Sequence, residues 1–481
     1  MNLASRSTRG ALFLGISTFA NIVIGFFGGI LLARLLDPND FGTFALATTL
    51  FAFADVRVKL QLEQKFLRDQ DDRTAHLNTF FTVSLGLSLI SFVGLLIVAA
   101  IIVGLNRTDL AICILALAAL GLIDPLTSVI RLSIEKQVAF RAVSVIQTFA
   151  AVVQFGTTLL CALIGLGLWS LLIGTVVGGL INLGMFLRVA PRRPQLQLDR
   201  TLAREFIAYG IKYGSVYAVS AIILTQFDNF IIGLLGGTFV LGFYDRAYRT
   251  ALWPTLLVSS ALGRISLPMY SQLQDDAARA SKAFSMVLWT ILTCTTPIAL
   301  ILLVTAPDLV SILYGDKWLP SVPILQVLAL FSILRPLWDD LISILVATKR
   351  PGQMARLVFI QACVLILLAI PLTWFYGGVG TATSVGIAFV ISAVFLFYFG
   401  KTQLKVDLVR VAGIPLLNNF IALVLYLLIR LNLSLETFSS LWRLGIEAAL
   451  LLGLCALVSL LLSGRTLANR MVYVYQLVRG K

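Results

Sequence analysis

Charge is what this sequence has little of. Only 12% of its 481 residues are Asp, Glu, Lys or Arg, against about 25% in a soluble domain. That is too little polar surface to cover a water-soluble fold of this size. Histidine is nearly missing: His76 is the only one. It falls in a loop of the predicted helix pattern, and a histidine-based zinc or acid–base centre is excluded. The five cysteines, Cys113, Cys161, Cys294, Cys363 and Cys455, lie in apolar runs without CxxC spacing, so neither a disulfide framework nor a thiolate metal site is expected. No GxxxxGK[ST] occurs and no loop is long enough for a nucleotide-binding domain, which excludes a built-in ATPase. No cofactor is expected.

Apolar length is what the sequence has in excess. It is 59% hydrophobic, with a mean hydropathy of +0.96. A membrane helix needs roughly 20 predominantly apolar residues, and about fourteen such stretches occur. They run near 11–33, 41–56, 78–104, 110–130, 143–165, 168–187, 213–236, 249–272, 283–305, 321–346, 356–376, 379–399, 411–429 and 444–463. The runs are too long, and alternate too little, for the strands of a membrane barrel. An all-α polytopic membrane protein is predicted. The first run follows Arg6 and Arg9 but exceeds the 7–15 apolar residues of a signal peptide, so it is predicted to be a retained helix.

The few charges are unbalanced, 37 Lys and Arg against 23 Asp and Glu. The basic residues sit between apolar runs rather than in one dense patch, which argues against nucleic acid. With fourteen spans the loops alternate sides, and most basic residues fall on the side of the N-terminus. The other side holds only Arg34, Arg107, Arg246, Arg249, Lys317, Arg430 and Arg443, while Arg264 and Arg335 fall inside spans. By the positive-inside rule both termini are expected to be cytoplasmic. The outer loops are then all short, which leaves no room for the catalytic loop of a membrane polymerase or glycosyltransferase.

Two weak echoes suggest an internal repeat. Leu31-Leu32-Ala33-Arg34-Leu35-Leu36 leading into Phe41-Gly42-Thr43-Phe44 matches Ile231-Ile232-Gly233-Leu234-Leu235-Gly236 leading into Leu241-Gly242-Phe243-Tyr244, 200 residues later. Gly165-Leu166-Gly167 pairs with Gly378-Val379-Gly380. Helices 1–6 would repeat as 7–12, giving two lobes related by an axis along the membrane normal. The expected organisation is an N-lobe over 1–190, a cytoplasmic amphipathic linker over 191–212, a C-lobe over 213–402, and helices 13–14 with a basic tail over 403–481. The linker carries an apolar stripe at Leu202, Phe206, Tyr209 and Tyr213, which favours a structural elbow helix on the membrane surface over a binding element. Two such lobes suit alternating access, and periodicity alone does not name the cargo.

Several segments resemble the Wzx-type polysaccharide flippases, in the polysaccharide-transporter branch of the MOP superfamily. Ile30 to Gly42, with the core Ala33-Arg34-Leu35-Leu36-Asp37-Pro38, is similar to that branch's first helix–loop signature. Asp228-Asn229-Phe230-Ile231-Ile232-Gly233 resembles its seventh-helix motif, and Arg264-Ile265-Ser266-Leu267-Pro268 the end of its eighth helix. The most specific match is the polar-aromatic run Leu313-Tyr314-Gly315-Asp316-Lys317-Trp318-Leu319-Pro320. The likeness covers about residues 8–400 and departs at Val56-Arg57-Val58-Lys59-Leu60. It implies two six-helix lobes in a V. It also implies translocation of an undecaprenyl-diphosphate-linked oligosaccharide from the inner to the outer leaflet of the bacterial cytoplasmic membrane. Coupling to H+ or Na+ and contact with polymerase or export proteins are further expectations that the residues leave open. The competing readings are a MATE-like cation-coupled exporter and a non-catalytic component of a polysaccharide-synthesis complex.

Such a cargo calls for a polar, cationic cavity, and charges inside spans are its candidate ligands because each costs at least roughly 2.5–3.5 kcal/mol if uncompensated. Arg264, roughly 24 Å along the eighth helix from its outer end, is a candidate diphosphate contact or else a residue that snorkels to the headgroups. Arg335 lies beside Pro336 and four residues before Asp339, with Asp340 next. That spacing favours an intrahelical Arg–Asp pair over a free cavity group. Asp228 and Asn21 are candidate cavity groups. Gln154, Gln226 and Gln361 are more in keeping with helix–helix glue. A cation-coupled carrier needs a titratable carboxylate, for which Asp55, Asp124 and Glu447 are candidates. Outer-side Arg246, Arg249 and Lys317 are weaker candidates to receive the flipped diphosphate. The two span arginines disfavour a cationic cargo.

Overall fold

The computed structural model describes residues 3–69, 74–137, 139–190, 192–273, 276–432 and 438–478. Among them there is no strand. Eleven helical stretches are long and apolar enough to cross a membrane. The chain forms two compact units, Met1–Gly242 and Phe243–Lys481.

The first unit contains α1 (Leu3–Leu35), α2 (Pro38–Ala54), the short α3 (Val56–Leu60) and α4 (Leu62–Arg68), α5 (Thr74–Gly104), α6 (Thr108–Lys136), α7 (Phe140–Leu163), α8 (Leu168–Val189), α9 (Arg200–Tyr209) and α10 (Ser215–Leu235). α11 (Gly237–Ala251) crosses the boundary. The second unit continues with α12 (Trp253–Gln272), α13 (Ala277–Tyr314), α14 (Val322–Phe331), α15 (Leu334–Ala347), α16 (Pro351–Thr402), α17 (Ile414–Asn432) and α18 (Ser440–Val478). α16 is two helices joined at Gly377, whose φ of 58° and ψ of −137° break the helical path.

Side-chain size sorts the faces of these helices. On α5, Ile90, Val93, Ile97 and Ile101 point outward, whereas Ser84, Ser88, Ser91, Leu95 and Ala99 are buried. Hydroxyls inside an apolar bundle need acceptors, and many bond their own backbone one turn earlier: Ser91 donates to the Leu87 carbonyl at 3.0 Å and Thr158 to the Gln154 carbonyl at 2.8 Å. α7 and α8 approach closely because Gly174 and Gly178 of α8 face α7; a Cβ on Gly174 would lie 1.8 Å from Thr158 Oγ1.

The 200-residue echo becomes a contact. A Cβ on Gly42 would meet the Thr238 carbonyl oxygen at 1.7 Å, and a Cβ on Gly242 the Pro38 carbonyl oxygen at 1.8 Å. Residues 38 and 238 stand in the same register as 42 and 242, so the N-terminal turns of α2 and α11 meet reciprocally. The second echo is shifted. Gly167, which caps α8, has φ 53° and ψ −128°, the conformation of Gly377 rather than that of Gly380.

Three sequence expectations are corrected. The eighth helical region begins at Gly237 instead of residue 249 and turns at Leu252 between α11 and α12. Arg246 and Arg249 therefore lie in a helix rather than an outer loop. Both bond Asp245, Arg246 Nη2 at 3.3 Å and Arg249 Nε at 2.8 Å. His76 is not in a loop: it lies in the first turn of α5, buried among Phe66 and Phe206, with Nε2 3.2 Å from Asp69. The Lys317 segment is a 3-10 helix, Asp316–Ser321, anchored by the fully buried Trp318 edge-on to Phe243. The most specific motif of the sequence is thus a packing motif.

The elbow is a short helix as expected. Asp199 caps α9 through the Thr201 and Leu202 amides, and Phe206 is buried beside Phe80. The segment before it is stapled to α5, with Asn78 Oδ1 accepting the Gln195 amide and Thr79 Oγ1 the Asp199 amide. α17 and α18 pack on α13 through Leu300, Ala422, Tyr426, Leu451 and Cys455, and Arg443 clamps Asp308.

Candidate functional site

The first unit encloses a cavity of about 1070 Å³. Its charged centre arises where α2 stops. Asp55 leaves the helix with ψ of 98°, and its carboxylate accepts the Arg57 amide at 3.0 Å, capping α3. α3 lasts five residues and ends at Gln61 in a left-handed conformation, φ 48°. This break turns the Arg57 side chain back into the bundle. Arg57 Nη2 donates to Asp55 Oδ2 at 3.2 Å and to Asp124 Oδ2 at 2.7 Å. Asp124 precedes Pro125, which cannot donate to the Gly121 carbonyl one turn back, and Gly121 itself lines the cavity. One guanidinium between two carboxylates leaves one formal negative charge at this centre.

The remaining polar lining is mostly amide: Asn21, Gln61, Gln64, Gln147, Gln154 and Asn182, with Tyr217 alongside. Among the described residues the side-chain oxygens of Asn21 and Asn182 are buried without a protein donor, and Arg57 Nε–H is buried without an acceptor. Glu63 also lines the cavity and is bonded by Arg131 at 2.7 Å. The charged and amide groups of the cavity wall are interspersed with apolar side chains such as Phe51, Leu117 and Ile222, and the wall is not cationic.

Asn21, Asp55 and Asp124, predicted separately, meet in this one cavity. Gln154, predicted as glue, lines it too. Arg57, Gln147 and Asn182 were missed. In the predicted span pattern Arg57 falls among the basic loop residues, and the signals that single it out are the adjacent Asp55 and the departure from the family pattern at that point. Asp228 is buried in the same unit, where its carboxylate accepts the Asn229 amide at 2.8 Å, but it does not line the cavity. Gln226 is glue as predicted, accepting from Thr49 Oγ1 at 3.2 Å.

The second unit holds the other candidates. Arg335 does not form the expected pair with Asp339. Its guanidinium lies over the rings of Trp338 and Phe389, at 5.2 and 5.1 Å, where cation–π attraction offsets part of its burial. Asp340 is buried and accepts from Tyr270 Oη at 3.1 Å. Asp339 and Asp340 border a water-sized space of about 20 Å³ with Ser259, Ser266 and Ser343. Gln361 ties α15 to both halves of α16, accepting from Trp338 Nε1 at 3.1 Å and donating to the Ala388 carbonyl at 3.0 Å. Glu447 is buried in the α17–α18 hairpin, 3.4 Å from Arg430 Nε, and so is not part of the Asp55–Asp124 centre. The Arg264 backbone lies in α12; its side chain lies outside the described residues.

The helix arrangement is that of the MOP-type membrane transporters. A solved structure of the lipid II flippase MurJ in an inward closed conformation superposes with a TM-score of 0.74 over 95% of this chain and 100% of that one, at 16% identity. A multidrug-resistance MATE transporter gives 0.55 over 82% of this chain and 94% of that one, at 14% identity. Within that class the chain belongs to the polysaccharide biosynthesis protein family, whose family model matches residues 31–323. Curated relatives include the lipopolysaccharide biosynthesis protein WzxC of Escherichia coli, 25% identical over 73% of this chain and 72% of that protein. The succinoglycan biosynthesis transport protein ExoT of Rhizobium meliloti is 26% identical over 62% of this chain and 61% of its own.

Proposed function

We propose that this protein is a flippase that moves an undecaprenyl-diphosphate-linked oligosaccharide from the cytoplasmic to the outer leaflet by alternating access, for export of a surface polysaccharide. The observation that carries the reading is the polar cavity of about 1070 Å³ inside a bundle of apolar helices, in a chain of the polysaccharide biosynthesis family. Charged and polar side chains inside an apolar bundle mark a functional site, and a glycan is the part of this cargo that membrane lipid cannot solvate.

The finer parts of the reading rest on sequence. The bacterial inner membrane with both termini in the cytoplasm is supported by the placement of the basic residues. The proposed lobes are 1–190 and 213–402, joined by 191–212 and followed by 403–481. Arg264 and Arg335 are proposed to serve the diphosphate. Asp55 and Asp124 are the proposed titrating pair if the carrier is coupled to H+ or Na+. Their bonds to one arginine make protonation of either carboxylate a change in the bonding of the other. Partner proteins of polysaccharide assembly remain part of the proposal. A MATE-like export of small cations finds one supporting observation, the net negative charge beside Arg57.

Deletion in a strain without paralogues tests the proposal. One surface polysaccharide should be lost, with its lipid-linked unit accumulating in the inner leaflet. An unchanged surface glycan would overturn it.

A further inference from the structure

We infer that the cavity of the first unit is a glycan subsite that takes uncharged, hydroxyl- or acetamido-bearing sugars and discriminates against sugars carrying carboxylates. The inference rests on the flippase reading and deepens it by assigning the part of the cargo this site holds.

Three observations converge. First, the one guanidinium among the described lining residues is already shared between two carboxylates, Asp55 at 3.2 Å and Asp124 at 2.7 Å. A phosphate would have to displace one of them and would then face both. Second, the centre keeps one formal negative charge, and Asp124 is its open side: half of its side chain, 52%, is exposed, against 10% for Asp55. An anionic sugar entering here meets a like charge at the open side of the centre. Third, the polar part of the surrounding lining is mostly amide, from Asn21, Gln61, Gln64, Gln147, Gln154 and Asn182. Amide oxygens accept from sugar hydroxyls or an acetamido N–H while the amide nitrogens donate to sugar oxygens. Tyr217 lines the same wall. An amide-lined site with one exposed carboxylate matches polyols and rejects polyanions.

Binding is measured on the full chain in lipid nanodiscs with free maltopentaose and pentagalacturonate, at low and at high salt. Maltopentaose should bind, and pentagalacturonate should bind about tenfold more weakly, as a single desolvated like-charge contact implies. High salt should narrow that gap. Asp124→Asn, nearly isosteric, should bring the two sugars within about twofold of one another, and Asn182→Leu should weaken maltopentaose alone. Equal or tighter binding of pentagalacturonate overturns the inference, as does failure of maltopentaose to bind, or a gap that neither salt nor Asp124→Asn changes. The flippase reading is scored separately by whether the wild-type gene restores polysaccharide export to the deletion strain. Restored export without sugar discrimination sinks the subsite alone; discrimination without export sinks the transport reading.

Discussion

Arg57 decides how the charged centre of the first unit is built. It is one of many basic residues on the positive side of the topology, and counting charges places it in a loop. Its real position depends on Asp55, which ends α2, caps α3 and accepts from the Arg57 guanidinium. That arrangement is tertiary, because Asp124 comes from α6, and no local pattern announces it. Asn21, Asp55 and Asp124 were legible because a polar residue in an apolar run is conspicuous; their meeting was not. We expect Arg57→Gln to leave two partly buried carboxylates facing each other. Thermal unfolding in detergent should report a loss of about 1–3 kcal/mol, with export abolished. An unchanged melting temperature would remove the centre's structural role. A second residue-scale expectation concerns Asp69, outside the spans. Burial pushes its carboxyl up, but the hydrogen bonds and charges of Lys65 and His76 outweigh this and hold it below its ordinary value. A carboxyl lowered in the fold adds stability that is complete above its unfolded value, about 3.9, and is lost as pH falls through the folded one. The stability difference between wild type and Asp69→Asn should therefore begin to shrink only as pH falls below about 4, and vanish once pH is below the lowered folded value. A difference that grows on acidification would contradict it.

Among the elements, the helices were legible where the bilayer dictates them, as runs of about 20 apolar residues. They were misread where a helix continues into polar sequence. α11 carries Asp245, Arg246 and Arg249 and looks like a loop, yet these three neutralise one another along one helix. His76 fails in the same way, since the aromatic cluster that buries it is assembled by α4, α5 and α9. The repeat was legible only as an offset; its meaning, a reciprocal glycine contact between α2 and α11, needs coordinates. Gly42→Ala and Gly242→Ala each place a methyl within 2 Å of a carbonyl oxygen of the opposing helix turn. Each should cost about 1–3 kcal/mol. Because both relieve themselves by the same separation of the two turns, the double variant should cost clearly less than the sum. Additive losses in melting experiments would mean that the two glycines act independently. Gly377→Ala, at φ 58°, should cost about 1–2 kcal/mol through backbone strain alone.

For the whole molecule, scarce charge and abundant apolar length lead to a polytopic helical protein, and the MOP-type fold and the polysaccharide biosynthesis family agree with that. The expectation that changed is the sign of the cavity. A diphosphate cargo suggested a cationic hollow, whereas the first unit offers amides and a net negative centre. The two requirements are compatible if glycan and diphosphate are held by different parts of the protein. The direct test of the account is translocation itself. Purified protein is reconstituted into liposomes bearing a fluorescently labelled undecaprenyl-diphosphate oligosaccharide, and the leaflet distribution is followed with a membrane-impermeant quencher. Protein-dependent movement of the lipid-linked glycan between leaflets is predicted, with Arg57→Gln inactive. Distribution no faster than in protein-free liposomes, from protein that retains its helical fold, would contradict it.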